Sequence, residues 1–228
     1  MDRVVIGDVH GSADQLTVLL GQLSKEASSI VFLGDYVNRG DDSKAVLDIL
    51  ISFRKENPAT KFLCGNHDWS LLQFLAEGNF HSFASVGGLA TISSYSRGLS
   101  EQFVAAFRRQ FPETHLHFLK SLDAYFETDE YLFSHTGMDP SAPHDRRFQT
   151  MVLQDHGNLF QDHADFQKTI VCGHYVQANF KPYANAGVIC LDTGCGTIGG
   201  PLSALRVPAG DFIQVHKDLR ITQGRIPK

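Results

Sequence analysis

A short polar loop, Gly34–Gly40 (GDYVNRG), carries the residue types in this sequence that are best suited to chemistry. It follows the apolar run Ile30–Leu33 (IVFL), which is typical of a buried strand, and a glycine ends that run. Asp35 and Arg39 are therefore expected on a tight loop at the carboxyl end of a strand, where α/β proteins place their sites. Taken alone, a carboxylate and an arginine so close in sequence would fit a surface ion pair equally well.

Comparable polar residues follow other strand-like apolar runs, and their number is what indicates a site. They are Asp8 and His10, Asn66 and His67, His135, and His174. Each of them alone is better explained as a helix cap, a turn residue or a hydrogen-bonded histidine. Because strand ends in an α/β sheet meet at one edge, we expect these side chains to converge on Asp35.

Carboxylate, imidazole and amide ligands in one site favour a divalent ion such as manganese, iron or zinc over calcium, which prefers oxygen ligands alone. An aspartate can bridge two ions ~3.5–4 Å apart, and two such ions activate water and hold the oxygens of a phosphoryl group. Arg39 suits a bidentate contact with phosphate. His67 suits an acid that protonates the leaving oxygen.

Strands and helices alternate in the first third of the chain, as in βαβ units with right-handed crossovers. Leucines recur at helical spacing after Ser12, which is placed to cap that helix. A second helix is expected to begin at Asp42 or Ser43 and to end at the Asn57-Pro58 dipeptide. A third strand is expected at Phe62–Cys64.

The remainder of the chain divides into a helical and a strand-rich part. From Gly78 to about Leu122 the pattern indicates a helical insertion that shapes the entrance of the site, with Phe103 on its apolar face. The later short strands indicate an antiparallel second half. The expected fold class is α/β, with two packed sheets flanked by helices, and one domain is expected over residues 1–228.

The charge balance excludes some classes of function. With 25 acidic and 20 basic residues the net charge is -5, which argues against nucleic-acid binding, because such binding needs clustered positive charge. No apolar run reaches the ~20 residues that span a membrane. A cytoplasmic protein is the simplest expectation. The four cysteines form no Cys-x-x-Cys pair and are interpreted as reduced core thiols.

The motifs together resemble the PPP family of metal-dependent serine/threonine phosphatases within the calcineurin-like metallophosphoesterases. The resemblance is carried by GDVHG at Gly7–Gly11, by the Gly34–Gly40 loop and by GNHD at Gly65–Asp68. His135 and Gly173-His174 follow in the same order. Two more stretches, GGLAT from Gly87 and DTG from Asp192, are similar to the short bacterial branch of that family.

This resemblance implies a four-layer α/β/β/α sandwich with a two-metal centre at the edges of the sheets. One ion would be held by Asp8, His10 and Asp35, and the other by Asp35, Asn66, His135 and His174. Manganese is the favoured metal, with iron and zinc as alternatives. Arg39 would bind phosphate and His67 would be the general acid, with water as the direct nucleophile. The substrate would be a phosphorylated protein or a small phosphoester.

Two positions depart from the family pattern. Asn38 stands where protein phosphatases usually have the aspartate that pairs with the histidine matching His67. An amide can orient the ring but cannot stabilise the imidazolium by charge, so leaving groups that need little protonation are expected. Gln154 stands where relatives often have a second phosphate-binding arginine, and Arg146 or Arg147 is a nearby substitute.

Three functions remain open on the sequence. A phosphoprotein phosphatase, serine/threonine-specific or active on tyrosine, is favoured. A symmetrical dinucleoside polyphosphate hydrolase is the alternative, because such relatives also lack the aspartate at the Asn38 position. A non-catalytic phosphate-binding descendant is the third, motivated by Asn38 and Gln154, although every expected metal-ligand position holds a competent residue.

Overall fold

The computed structural model describes residues 2–23, 29–95, 101–161, 167–185 and 187–227, without the side chains of 101–103, so the Phe103 side chain lies outside the described residues. The first of its two β-sheets has six strands in the order β11-β10-β9-β1-β2-β3. These are β1 Arg3–Ile6, β2 Ile30–Phe32, β3 Lys61–Phe62, β9 Leu202–Val207, β10 Asp211–Val215 and β11 Ile221–Arg225. β1, β2 and β3 are parallel, as βαβ units require.

The second sheet has five strands in the order β4-β5-β6-β8-β7. They are β4 Tyr125–Glu127, β5 Tyr131–Ser134, β6 Thr169–Cys172, β7 Tyr183–Asn185 and β8 Val188–Cys190. The antiparallel second half is therefore only partly correct. β4, β7, β9, β10 and β11 pair antiparallel, but β5, β6 and β8 are parallel to one another. The long connection 135–168 allows the crossover that parallel strands need.

Apolar side chains fill the space between the two sheets and the space between the first sheet and its helices. Along β1, Val5 faces the other sheet, whereas Val4 and Ile6 face the helices, as the two-residue period of a strand dictates. The cluster between the sheets also includes Phe133 and Val171 of the second sheet. The expected α/β sandwich of two packed sheets with helices is thus confirmed.

Seven α-helices lie within the described residues. They are α1 Ala13–Gln22, α2 Ser43–Glu56, α3 Asn66–Glu77, α4 Phe80–Ser85, α5 Gly88–Tyr95, α6 Glu101–Gln110 and α7 Glu113–Lys120. α4 to α7 form the expected helical insertion. It packs on the first sheet and its helices through buried apolar side chains, among them Phe83, Ile92, Phe107 and Phe118. The outer face of the second sheet is covered by a π-helical turn, Gln149–Leu153, and by irregular segments.

Among the local details, the start of α2 is as expected, whereas the cap of α1 and the end of β3 differ from the expectations. Asp42 caps α2 by accepting a hydrogen bond from the Ala45 N–H (2.9 Å). The Ser12 hydroxyl does not cap α1 and donates to the His10 carbonyl instead. β3 ends at Phe62, because Leu63 continues as an isolated bridge to Asp123. In the described part of the chain, no helix has the length and apolar character that crossing a membrane requires.

Candidate metal centre

The parallel strands of both sheets end at one place and bring the expected ligands together. Asp8 and His10 follow β1, Asp35 follows β2, and His135 follows β5. The ligand atoms of Asp8, Asp35 and His135 all lie within 4.8 Å of one another, and so do those of His10, Asp35 and His67. Asp35 belongs to both groups, which is the arrangement that a bridging carboxylate requires.

The backbone around the centre is held in the left-handed region at non-glycine residues. The φ angles are 41° at His10, 54° at Asp35 and 65° at His174. Such conformations are uncommon for residues with a Cβ and occur mostly where the surrounding structure imposes them, often at functional sites. They direct these side chains toward the centre at the strand ends.

Two motif glycines allow strand-end loops to approach one another. A Cβ at Gly65 would overlap Asp35 Oδ1, and a Cβ at Gly173 would overlap Asp8 Oδ1. The absence of a side chain at both positions is therefore what lets two neighbouring loops reach the same centre. Asp68 completes this junction, because its carboxylate accepts hydrogen bonds from the Asp35 N–H (2.8 Å) and the Gly65 N–H (2.9 Å).

Histidine tautomers at the centre are set by backbone carbonyls. His135 Nδ1 donates to the Leu33 carbonyl at 3.1 Å, and His10 Nδ1 donates to the Val37 carbonyl at 2.9 Å. In the neutral ring this leaves the Nε2 lone pair free for a cation. His135 Nε2 is 3.3 Å from Asp35 Oδ2, and His10 Nε2 is 3.4 Å from the same oxygen.

Asn66 adds an amide oxygen to the same arrangement. Its Oδ1 is 3.0 Å from His135 Nε2 and 3.0 Å from His174 Nδ1. Lone-pair atoms of Asn66, Asp35 and His135 therefore face each other, which is favourable only when a proton or a cation lies between them. Without an ion, the Asp35 carboxylate outweighs burial and raises the pKa of His135.

Three buried carboxylates, Asp8, Asp35 and Asp192, give the centre its charge. Burial raises the pKa of Asp8 well above its usual range, and Asp192 and Asp35 raise it further. Burial alone would raise the pKa of Asp35, but His135 and His67 outweigh it and hold that pKa well below its usual range. Burial raises the pKa of Asp192 to about 6. This donor set, acidic and lined with imidazoles, fits divalent cations.

Asp192 and Asp68 are site residues that were not predicted. Asp192 follows β8 in the way that Asp35 follows β2, so the same strand-end signal was available for it. Asp68 stands within the GNHD motif, where its position predicted no role. Burial, reinforced by Asp35, raises the pKa of Asp68 to about 7.

The His67 ring is oriented by a hydrogen-bond network that begins at Asn38. Asn38 Nδ2 is 3.1 Å from His67 Nδ1, and the Thr91 hydroxyl donates to Asn38 Oδ1 at 2.7 Å. Thr91 and Ser43 both accept from the Asn38 N–H, at 2.9 and 3.1 Å. Burial lowers the pKa of His67 to about 4. With its amide N–H directed at Nδ1, Asn38 holds the neutral ring with the proton on Nε2.

Arg39 lies at the rim of the centre and is exposed. Its N–H donates to the Gly87 carbonyl at 3.1 Å, which attaches the loop to the segment between α4 and α5. Among the described residues, no carboxylate forms a salt bridge with its guanidinium. Arg39 also lines a polar cavity of about 370 Å³ together with Lys217 and Thr197.

In the described part of the chain, neither Arg146 nor Arg147 is free to act as the second phosphate-binding arginine that relatives often have. Gln154 is exposed, and its N–H donates to the Gln149 carbonyl. Arg146 forms a salt bridge with Glu127 (3.2 Å) and Arg147 one with Asp145 (2.6 Å). Both guanidinium groups are therefore paired with carboxylates away from the metal ligands.

Comparison with known proteins places this geometry in a family. Residues 1–204 match the family model described as calcineurin-like phosphoesterase. The chain is 28% identical over 237 residues to the asymmetrical bis(5'-nucleosyl)-tetraphosphatase PrpE of Oceanobacillus iheyensis, covering 92% of this chain and 90% of that protein. A symmetrical bis(5'-nucleosyl)-tetraphosphatase of Yersinia pestis is 38% identical over 78 residues, which are 33% of this chain and 26% of that protein.

A crystal structure of a candidate diadenosine tetraphosphatase shares the fold, with a TM-score of 0.63 and 21% identity over 98% of this chain and 93% of that one. The two tetraphosphatase relatives bear the names of nucleotide hydrolases, so the narrower expectation of a protein phosphatase does not gain support from them. The family uses a dinuclear divalent metal centre, and this chain carries candidate ligand groups for it. The chain belongs to the calcineurin-like phosphoesterase family and is a hydrolase that acts on phosphoester bonds.

Proposed function

We propose that this enzyme hydrolyses dinucleoside polyphosphates such as diadenosine tetraphosphate. The observation that carries the proposal is the contact between Asn38 and His67. A second proton on His67 Nδ1 would face the amide N–H of Asn38, so the imidazolium form is disfavoured. A neutral histidine is a weak acid, which suits a leaving group that is itself stable as an anion. A nucleotide released from a phosphoanhydride is such a group.

The metal ligands have the roles that the resemblance implies. Asp8, His10 and Asp35 would hold one divalent ion, and Asp35, Asn66, His135 and His174 the other, with manganese favoured and iron or zinc as alternatives. Bound there, the ions would supply Lewis-acid activation of water and neutralise phosphate oxygens. Asp8 also accepts from the His174 N–H (3.2 Å), which orders two of these loops against each other.

The other side chains act on the substrate directly. Arg39, exposed at the rim and without a carboxylate partner among the described residues, would bind the polyphosphate by charge-assisted hydrogen bonds. His67 would donate its Nε2 proton as a hydrogen bond to the leaving oxygen, with Asn38 holding the ring. The Asn66 side chain would position a phosphate oxygen between the strand ends.

The position of the cut is proposed to be asymmetrical, giving ATP and AMP from diadenosine tetraphosphate. Its support is coverage: the relative named asymmetrical matches 92% of this chain, whereas the relative named symmetrical matches 33%. The symmetrical cut, which belongs to the alternative function that the sequence left open, would give two molecules of ADP.

A tyrosine-active phosphatase is the second candidate function, and the same contact favours it. Phenolate has a pKa of about 10, so it leaves without full protonation far more readily than a serine alkoxide.

The deciding experiment compares the manganese-loaded protein on diadenosine tetraphosphate and on matched phosphoserine and phosphotyrosine peptides. Nucleotide products are separated by chromatography, since anhydride cleavage releases no free phosphate. The Asp35→Asn variant is the blank. Faster cleavage of the dinucleotide supports the proposal, and ATP with AMP supports the asymmetrical cut. Faster release of phosphate from the peptides would overturn the proposal and identify the enzyme as a phosphatase.

A further inference from the structure

Two large apolar side chains are exposed beside the metal centre, where the mechanism gives them no role. They are Phe180, with 38% of its surface exposed, and Ile198, with 54%. A Cβ built at Gly194 would lie 2.6 Å from Ile198 Cγ1 and 3.5 Å from Phe180 Cε1, so both lie against this glycine. We call Phe180 and Ile198 the apolar patch.

The apolar patch is attached to the metal centre through Asp192. The Gly194 N–H donates to Asp192 Oδ1 at 2.9 Å, and the Gln177 N–H donates to the Asp192 carbonyl at 2.8 Å. Gln177 in turn begins the turn that ends at Phe180. Gly194, against which the patch lies, is therefore hydrogen-bonded to a buried carboxylate of the centre.

Phe180 is held in an unfavourable conformation to reach this position. Its φ is 59°, which is a genuine outlier for a bulky residue. The Phe180 N–H donates to the Gln177 carbonyl (2.9 Å), and the Gln214 amide donates to the Phe180 carbonyl (2.7 Å). Strain of this kind persists where the surrounding structure enforces it, often at binding sites. A backbone fixed in this way has little further entropy to lose when a flat ligand stacks on the ring.

We propose that the apolar patch binds a purine base of the substrate, with the base stacked on the ring of Phe180 and its edge against Ile198. This inference rests on the proposed function, because a dinucleotide places a base next to the phosphates held at the centre. Aromatic side chains of proteins stack on nucleic-acid bases in this way, and every base offers a face for it.

The test measures how well ATP and inorganic tripolyphosphate inhibit hydrolysis of p-nitrophenyl phosphate by the manganese-loaded enzyme. The two inhibitors share the phosphate chain and differ by the nucleoside. We expect ATP to bind about tenfold more tightly, because base stacking is worth that much or more. Phe180→Asn removes the ring but tolerates a positive φ, and it should bring the ratio of inhibition constants close to 1. Phe180→Trp should keep the wild-type ratio.

Leu219→Asn is the matched control. Leu219 is also apolar, 42% exposed and at a φ of 64°, but it lies in the turn between β10 and β11. This variant should keep the wild-type ratio. Titration calorimetry of ATP and tripolyphosphate with each variant provides a readout that does not depend on turnover.

An unchanged ratio in Phe180→Asn, or equal binding of ATP and tripolyphosphate by the wild type, would overturn the inference. Concentration-dependent association in the ultracentrifuge, lost in Phe180→Asn, would assign the patch to a second copy of the chain and also overturn it. Failure of the proposed function gives a different result: ATP still binds more tightly than tripolyphosphate, but diadenosine tetraphosphate is not cleaved.

Discussion

The amide of Asn38 shows how a single residue can limit the chemistry of a site whose other parts are complete. Its Oδ1 accepts from Thr91, which leaves the N–H to face His67 Nδ1. An aspartate at this position would accept a hydrogen bond from a protonated His67 Nδ1, whereas the amide donates a hydrogen bond to the unprotonated nitrogen. Asn38 is not among the proposed metal ligands, so we expect this difference to change the acid step and to leave the metal centre intact.

Asn38→Asp tests this interpretation at the residue scale. The new carboxylate stabilises the imidazolium, so we expect the ratio of phosphoserine to phosphotyrosine turnover to rise about tenfold or more, within the range of general acid catalysis. Initial rates on matched peptides give the ratio. Asn185→Asp, at an exposed position of the edge strand β7, makes the same chemical change elsewhere and should leave the ratio as it is. No change in Asn38→Asp would show that the amide does not limit the acid step.

Gly173→Ala tests the close approach of the loops. A Cβ at this position would displace Asp8 Oδ1, the end of a side chain, rather than a strand. We expect manganese affinity to fall roughly 10–100-fold, as for other changes around metal ligands, with little change in the unfolding of the metal-free protein. Equilibrium dialysis measures the first quantity and urea unfolding the second. A Cβ at Gly157 would meet nothing within 4 Å, so Gly157→Ala should retain full affinity, and equal affinity of the two variants would disprove the role of Gly173.

At the scale of elements, the connections that follow the strands have two roles: they carry site residues, and they cover a sheet. Connections that leave the parallel strands β1, β2, β3, β5 and β6 carry the proposed ligands. The described part of the connection between β5 and β6 also covers the outer face of its sheet, and there Arg146 and Lys168 pair with Glu127 at the end of β4. Arg146, which is near Gln154 only in the sequence, thus attaches a covering segment to the sheet.

The pairing of Glu127 predicts a pH dependence of stability. The hydrogen-bonded Arg146 guanidinium, with help from Lys168, holds the pKa of Glu127 below its ordinary value of 4.5. The stabilisation is therefore fully present above pH 4.5 and is lost as the pH falls through the lowered pKa. We expect Glu127→Gln to reduce the free energy of unfolding by up to about 1 kcal/mol at pH 7 and by nothing at low pH. Urea unfolding across this range checks it.

Glu56→Gln is the control for that prediction, because Glu56 is exposed at the last residue of α2. It should have no more than a small effect at either pH. A deficit in Glu127→Gln that persists unchanged at low pH would mean that the side chain stabilises the protein by packing rather than by charge.

For the whole molecule, folding and metal binding are coupled at the centre. Asp8, Asp35 and Asp192 come from connections after β1, β2 and β8, which belong to both sheets. Folding brings these buried carboxylates together, so the metal-free fold is opposed by their repulsion. Divalent ions held by these carboxylates would offset the repulsion.

Manganese is therefore expected to stabilise the fold strongly. At a free concentration 100 times the dissociation constant, one ion binding only the native state adds about 2.7 kcal/mol to the free energy of unfolding. Calorimetric melting with manganese and after chelation measures the difference. Asp35→Asn, which removes the shared carboxylate, should lose most of the stabilisation. Equal melting temperatures with and without manganese would contradict the coupling.

The sequence by itself determined the positions of the strand-end residues and the type of site they form. Alternation along β1, helical spacing in α1 and the motif glycines are local signals, which is why the first three strands, the helical insertion and the α/β class could be predicted. The resemblance then supplied the expected role of each ligand. These inferences needed only residues close together in the chain.

Only the tertiary structure decided which distant groups meet. The parallel pairing of β5, β6 and β8, the place of Asp192 beside Asp8, and the contact of Thr91 with Asn38 all join residues far apart in sequence. Local periodicity carries no record of such pairings, because strand order and side-chain contacts depend on the packing of the entire chain. For the same reason, Arg146 could be assigned to Glu127, and Phe180 to the rim of the site, only in the folded molecule.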